Sequence, residues 1–300
     1  MPAKRVGIVI INFNQEKDTT ACLSSLREID HPNYEIVLVD NASKNNSADR
    51  IKQNFPEITL IKNRENLGFS EGNNVGIRYL LKKETDHVLL LNNDTIVDRK
   101  FLTELVDGLE AYPNAGMAGP KIYYMGRPDV IWFAGGDFRS LSGRTFHYGL
   151  GQKDKGQFEK VREVGFVTGC ALLVTRSVIE KVGLLDPDYF FSYEDVDWCV
   201  RAAKKHYKLI YVPSSRVWHK FAASAGGRFS PLYIYYRIRN NLLFTKKNAR
   251  PASEFLFHLF FSPAKLIIWC SITLNFKGLL SVYLGMRDFF ALNFGKARAF

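Results

Sequence analysis

Cysteine is scarce and scattered in this 300-residue chain: Cys22, Cys170, Cys199 and Cys270 form no CxxC spacing. That excludes a disulfide framework and a zinc ribbon, and makes a reducing compartment the default. Long uninterrupted apolar runs are also missing. The first, from Val6 to Ile11, stops at Asn12-Phe13-Asn14 and is too short for the core of a signal peptide, so it reads as a buried strand. The most apolar stretch, 255–274, is twenty residues long but interrupted by His258, Pro263 and Lys265, which makes it a borderline spanning helix. Neither a Walker phosphate loop nor a Gly-x-Gly-x-x-Gly fingerprint is present. Acids are nearly absent from the last third. From Cys199 onward 17 Lys and Arg face only Glu254 and Asp288, which puts +15 there and −4 on the rest of a chain whose total is +11. A basic third on an acidic body points toward something anionic: membrane headgroups, a phosphate-bearing substrate or nucleic acid. Nucleic acid is disfavoured, because no binding module is recognisable and the bases are interleaved with apolar residues.

What is present is enough apolar residue, 46%, for a real core, arranged as alternating strand and helix patterns. Val6 to Ile11, Glu35 to Asp40 and Ile58 to Ile61 read as strands, with helical spacing at Cys22, Leu23, Leu26 and Ile29 between the first two. This alternation predicts parallel βαβ units with right-handed crossovers. Val88 to Leu91 is a fourth short apolar run, which ends at Asn92-Asn93-Asp94. Such a run suits a parallel strand covered on both faces, and ligands in open α/β sheets bind just beyond that strand end. The preceding loop, Asn66 to Gly76, has glycines at 68, 72 and 76 that allow close backbone approach, and a helix opening near Ser70 would present free amides.

Further along, helix 99–111 and strand 116–119 precede a Gly- and aromatic-rich region to about residue 160 that reads as hairpins and loops. Strand character returns over 164–174, and a helix follows over 176–182. The second acid-dense stretch runs from Asp186 to Arg201. Ser192 is its expected N-cap, and Glu194, Asp195 and Asp197 fall in the first helical turn. Capping explains one or two of these acids; three, beside several aromatics, point to a functional use. Tyr211 to Lys220 is a strand and loop ending in His219 and Lys220. From Pro231 the chain is aromatic and basic, and 255–274 with its flanks is expected to form a helix pair lying in a membrane interface.

Together, Ile8 to Asn14, Val39-Asp40-Asn41, Asn66-Leu67-Gly68-Phe69, Leu91 to Thr95, Gly169 and Tyr193 to Asp197 with Arg201 resemble the inverting family 2 glycosyltransferases of GT-A fold, particularly their rhamnosyltransferase-like bacterial branch. The resemblance implies an α/β domain over 1–228, with a Rossmann-like, mainly parallel sheet flanked by helices. Its nucleotide-sugar half would cover about 1–120 and its acceptor half about 121–228, followed by a helical, membrane-associating extension over 229–300. It further implies that Asp40 recognises a pyrimidine base, with Asn12 and Asn14 lining the same pocket, and that Asn66 and Gly68 sit against the nucleotide. Asn92-Asn93-Asp94 stands at the family's DxD position, with Asn92 in place of the first Asp. Asp94, with His219, would ligate Mg²⁺ or Mn²⁺, and Asp195 would be the catalytic base, with Glu194 as the fallback.

The implied partners are a nucleoside-diphosphate sugar (dTDP-rhamnose or a UDP-sugar) and a glycan or polyprenyl-linked acceptor, in cell-surface polysaccharide synthesis. No nucleic acid is implied. The implied location is cytoplasmic, peripheral on the inner face of the cell membrane. A processive synthase is disfavoured by the lack of Gln-x-x-Arg-Trp after the base. A non-catalytic nucleotide-binding protein at the membrane is the alternative that Asn92 keeps open.

Overall fold

The computed structural model describes residues 3–139, 144–220, 230–248 and 252–297. Its first half alternates strand and helix: β1 (Val6–Asn12), α1 (Glu16–Arg27), β2 (Tyr34–Asp40), α2 (Ser47–Asn54), β3 (Thr59–Lys62), α3 (Gly68–Leu81) and β4 (His87–Leu91). Next come β5 (Thr95–Val97), α4 (Phe101–Glu110), β6 (Ala115–Tyr124), β7 (Arg127–Phe133), β8 (Gly136–Arg139), β9 (Arg144–His147), β10 (Arg162–Glu163) and β11 (Ala171–Thr175). The chain then passes through α5 (Arg176–Val182), α6 (Glu194–Lys204), β12 (Lys208–His219), α7 (Pro231–Asn248), α8 (Ala252–Ile272) and α9 (Phe276–Phe290).

One mixed sheet organises the chain, in the order β10-β12-β6-β11-β4-β1-β2-β3, with β5 on β12 and β7 on β6. β3, β2, β1 and β4 are mutually parallel. Every residue of β4 is buried, as is nearly all of β1, which is why their sequences run apolar rather than alternating. Parallel pairing fixes the chain direction, so Asn12, Asp40 and Leu91 finish at one rim; Asn12 pairs with Asp40 in register. β11 then enters antiparallel between β4 and β6, and the parallel character is confined to the first half and to β6 with β12. The region read as hairpins contains β7, β8 and β9, with β8 and β9 forming a separate two-stranded ladder.

Two expectations are corrected. The strand expected over 164–174 is broken: Phe166 makes an isolated antiparallel bridge to Gly136, Thr168 to Cys170 turn into the wall of the cavity described below, and continuous pairing starts at Ala171. Ser192 does not cap α6; the N-cap position falls on Tyr193 with no side-chain hydrogen bond, and both residues hold left-handed backbone, φ 74° and 76°. The aromatic, basic run after Pro231 turns one face inward. α7 buries Tyr235, Tyr236 and Arg239 against the loop at Phe190 and Phe191, with the Arg239 guanidinium 5.3 Å and 5.0 Å from the two tyrosine ring centres. The division expected at 228/229 falls on residues outside the described ones.

Register decides where the end of β12 goes. It pairs with β6 up to Val212, slips by a bulge, and resumes at Arg216; the Ser215 hydroxyl donates to the Phe101 carbonyl within the slip. Bulges re-aim a strand, and the resumed segment pairs His219 with Thr95, next to Asp94. Asp94 and His219, 125 positions apart, become neighbours by this route.

Candidate active site

The acid at the end of β4 meets its partner through that register. Asp94 is 4% exposed, and its Oδ1 lies 3.1 Å from Nε2 of His219, while the Lys220 amide donates to its backbone carbonyl at 2.9 Å. Burial opposes the His219 imidazolium, but the neighbouring Cys170 thiol and the Asp94 carboxylate outweigh it and raise its pKa to about 10. Asn92 is tied to the sheet by its backbone, donating to Cys170 and accepting from the Thr95 hydroxyl, so its side chain is left to the cleft. Asn93 is buried and donates to the Thr19 hydroxyl at 2.8 Å.

A hollow of about 290 Å³ opens beside them, with Asn66, Gly68 and Asn92 to Asp94 in its wall together with Ile11, Phe13 and Asn41. Gly68 has φ +75°, and a Cβ there would lie 2.4 Å from the Phe190 carbonyl oxygen, so only glycine lets the loop close on the Phe190 turn. The Asn66 side chain accepts from the Gly68 amide at 2.9 Å. Asn12 and Asp40 stand behind this hollow rather than in its wall. The Asn12 amide donates to Asp40 (2.8 Å), Ser43 (3.1 Å) and Ser47 (2.9 Å), and Asp40 also accepts from the Ser43 amide at 3.0 Å. Asn14, left-handed at φ 59°, accepts from the Lys44 amide and holds the same loop from outside. Asn12, Asn14 and Asp40, expected to line one pocket, thus meet around the loop at Ser43 to Ser47: Asn12 and Asp40 bond to each other and to its serines, and Asn14 bonds to its backbone.

A larger cavity of about 670 Å³ adjoins, and Phe69, Asn92 and Phe191 belong to both walls. Glu194, Asp195 and His219 face it. Asp195 is held on both oxygens: Oδ2 accepts from the Gly169 amide at 2.8 Å and Oδ1 from the Val196 amide at 2.8 Å. Burial raises its pKa in spite of these bonds. Glu194 is pushed well above the ordinary range, by burial first and then by the Asp195 charge, and its Oε2 has no hydrogen-bond partner among the described residues. Asp197 points elsewhere, binding Arg201 at 2.7 Å inside the helix, so it is structural.

Burying Glu194 carries a stability consequence. A carboxyl whose folded pKa is raised binds its proton more tightly when folded, so its stabilising contribution is present at low pH. It is lost as pH climbs from the unfolded value of about 4.3 through the folded one. Glu194→Gln is therefore expected to match the wild type near pH 4 and to be more stable at pH 8; urea midpoints at the two pH values check this.

Sequence reasoning missed much of the larger cavity's wall. Trp132 and His147, from the region without clear pattern, and Tyr233 and Arg237, from α7, all line it. No local periodicity marks them. The one available signal was the density of aromatics between two acid-bearing stretches.

Residues 7–183, more than half of the chain, match the family model described as Glycosyl transferase family 2. The chain belongs to that family. It is 27% identical over 254 residues to a protein named dTDP-rhamnosyl transferase RfbF from Shigella flexneri, covering 81% of this chain and 80% of that one. It is likewise 27% identical over 239 residues to an N-acetylglucosaminyl-diphospho-decaprenol L-rhamnosyltransferase of Mycobacterium tuberculosis, covering 73% and 77%. Among solved structures, a mannosyltransferase from Pyrobaculum calidifontis in complex with GDP-Man and Mn²⁺ superposes with TM-score 0.57 at 16% identity, over 98% of this chain and 77% of that one. GalNAc-T7 with UDP, GalNAc and Mn²⁺ gives 0.63 at 18%, over 82% of this chain but only 48% of the other. The GT-A fold expected from the motifs is therefore the fold observed. Asp195 and the whole C-terminal third lie beyond the family match, so their roles rest on geometry.

Proposed function

We propose that this chain is an inverting transferase moving one sugar from a nucleoside-diphosphate sugar, dTDP-rhamnose or a UDP-sugar, to a hydroxyl of a glycan or lipid-linked glycan. The observation that carries the reading is the pair of hollows sharing Phe69, Asn92 and Phe191, one ending on Asp94 and the other on Asp195. A nucleotide in the smaller hollow rests against Asn66 and Gly68, with Asp40 and Asn12 fixing the floor that meets the base. Its diphosphate reaches Asn92, Asp94 and His219, and its sugar lies at the shared wall. An acceptor hydroxyl entering from the larger cavity attacks the anomeric carbon from the side opposite the diphosphate, which inverts configuration. Asp195 takes the proton from that hydroxyl; its raised pKa makes it a stronger base than an ordinary aspartate.

Asp94 and His219 would hold a divalent ion in exchange for the proton that His219 shares with Asp94 without it: an oxygen and, once deprotonated, an imidazole nitrogen 3.1 Å apart, beside the smaller hollow. No cluster of three or more His, Cys, Asp and Glu occurs among the described residues, so substrate oxygens would complete the coordination. When bound, Mg²⁺ or Mn²⁺ supplies Lewis-acid neutralisation of charge on the departing diphosphate. The test is a thermal-shift screen of nucleotide sugars with each ion, since ligands that bind only the folded state raise its melting temperature. A rise with a pyrimidine diphosphate sugar that needs the ion supports the reading. A rise without turnover of any of them favours the non-catalytic alternative.

The C-terminal helices support a place on a membrane surface. Phe255–Ile272 in α8 is long and apolar enough to cross a bilayer, yet only 17% of it is buried in the protein, and Phe260, Ile272 and Phe276 are 68–77% exposed. α8 and α9 nevertheless pack on α7 and bury His258, Cys270 and Asp288, which fits a hairpin lying in the plane of the surface with Lys265 and Lys277 toward anionic headgroups. Vesicle flotation is expected to capture the protein with anionic lipid and to weaken in high salt. Replacing Phe260 and Phe261 with Asp removes two insertions of ~1.5–3 kcal/mol each, at least tenfold in partitioning per residue. Equal flotation of that variant would contradict the placement.

A further inference from the structure

The turn that delivers Asp195 is held from two sides, and one side belongs to α7. Ser192 and Tyr193 carry left-handed backbone in succession, which is costly for residues with a Cβ and persists only where the surroundings enforce it. From the donor side, the Phe69 amide donates to the Phe190 carbonyl at 2.8 Å and the Ser70 hydroxyl to the Tyr189 carbonyl at 2.5 Å. From the other side, Asn240 is fully buried and its amide nitrogen donates to the carbonyls of both Phe191 (2.9 Å) and Ser192 (3.0 Å). Its own oxygen accepts from Nε of buried Arg239 at 3.0 Å, which fixes which face of the amide points at the turn. The next residue, Asn241, donates to the Tyr193 hydroxyl at 2.7 Å.

We propose that Asn240 is a positioning residue for catalysis: its amide locks the Ser192–Tyr193 turn so that the carboxyl group of Asp195 faces the cavity from a fixed helix start. α7 is then part of the catalytic apparatus and not a tether to the membrane. The inference rests on the reading of Asp195 as the base. A residue that merely satisfied two buried carbonyls would lower stability when removed and leave turnover of the folded fraction alone.

The experiment measures nucleoside-diphosphate release from the nucleotide sugar that stabilises the wild type most. A misplacement of about 1 Å in a catalytic group costs on the order of 10²-fold, so Asn240→Ala is expected to lose about 10- to 100-fold in kcat. The melting-temperature rise caused by the free nucleoside diphosphate should fall far less than kcat, because Asn240 holds only the Phe191 edge of that hollow, while Asn66, Gly68 and Asn92 to Asp94 are placed without it. Glycine adopts left-handed backbone without strain, so adding Ser192→Gly is expected to return several-fold of the lost kcat. Should Asn240→Ala not fold, Asn241→Ala, which removes only the Tyr193 hydroxyl contact, carries the same expectation on a smaller scale. A kcat within about twofold of wild type in the folded variant, or a loss that Ser192→Gly does not relieve, overturns the proposal. Normal turnover by Asp195→Asn would remove the reading beneath it. An inactive Asp195→Asn beside a normal Asn240→Ala would remove this inference alone.

Discussion

Asp195→Asn is expected to lower sugar transfer by about 10²–10⁴-fold, the usual contribution of a positioned general base, with the fold and nucleotide affinity retained. The substitution is nearly isosteric, and its remaining side-chain oxygen can still accept from the Gly169 amide that holds Oδ2 at 2.8 Å, while the amide group in place of Oδ1 gives up the Val196 bond. It also removes a carboxylate whose ionisation burial disfavours, which offsets that lost bond above pH 7, so the melting temperature there should change little. The wild-type pH profile follows from the same shift. The base must be unprotonated, so kcat is expected to rise with pH through a value above that of an ordinary aspartate, about 3.9, and then level off. In Asp195→Asn that limb should vanish. A variant with near-normal turnover and an unchanged acid limb would move the proton chemistry to Glu194 or to solvent.

The second large effect is expected from Asp94→Asn. The carboxylate is almost fully buried beside His219, and its loss removes the hard anionic donor of the pair. Metal-assisted departure of a diphosphate contributes several kcal/mol, and each 1.36 kcal/mol is tenfold, so a loss of roughly 10²–10³-fold is expected. The Lys220 amide bond to the Asp94 backbone carbonyl survives the substitution, so the β4 end should keep its shape. The diagnostic readout is binding: Mg²⁺ or Mn²⁺ should no longer add to the stabilisation given by nucleoside diphosphate, while nucleotide alone still binds. Activity that persists in Asp94→Asn at unchanged metal concentration would exclude Asp94 from the ligand set. The His219 imidazole alone would then be a poor match for Mg²⁺.

The parallel half of the sheet was legible in the sequence because strands buried on both faces write their burial directly as short apolar runs. Those runs stop where the site begins, at Asn12, Asp40 and Asn92. The residues that complete the site were harder to read. His219 reaches Asp94 only through the bulge in β12 and its register with β5, and no local pattern encodes that pairing. Ser192 looked like an N-cap because its residue type fits one; the left-handed turn that overrides it is enforced by Asn240, nearly fifty positions on. The inward face of α7 was illegible for a related reason. Tyrosines and arginines suit a membrane flank, but here Arg239 lies against the rings of Tyr235 and Tyr236 in the interior and donates to the Asp188 and Asn293 carbonyls. Aromatic, basic composition states what a surface could bind, not which side of the helix is the surface.

The central claim, that two adjoining hollows hold a nucleotide sugar and deliver an acceptor hydroxyl to Asp195, is tested most directly by one comparison. Release of nucleoside diphosphate from dTDP-rhamnose and from UDP-sugars is measured with Mg²⁺, with and without a lipid-diphosphate-linked N-acetylglucosamine acceptor, for the wild type, Asp195→Asn and chelator-treated wild type. The account predicts release by the wild type with at least one of these donors, accelerated by acceptor and stopped by chelation, and release by Asp195→Asn that acceptor does not accelerate. Acceptor-stimulated release that is the same in Asp195→Asn as in the wild type, or no release from any of the donors, would contradict it.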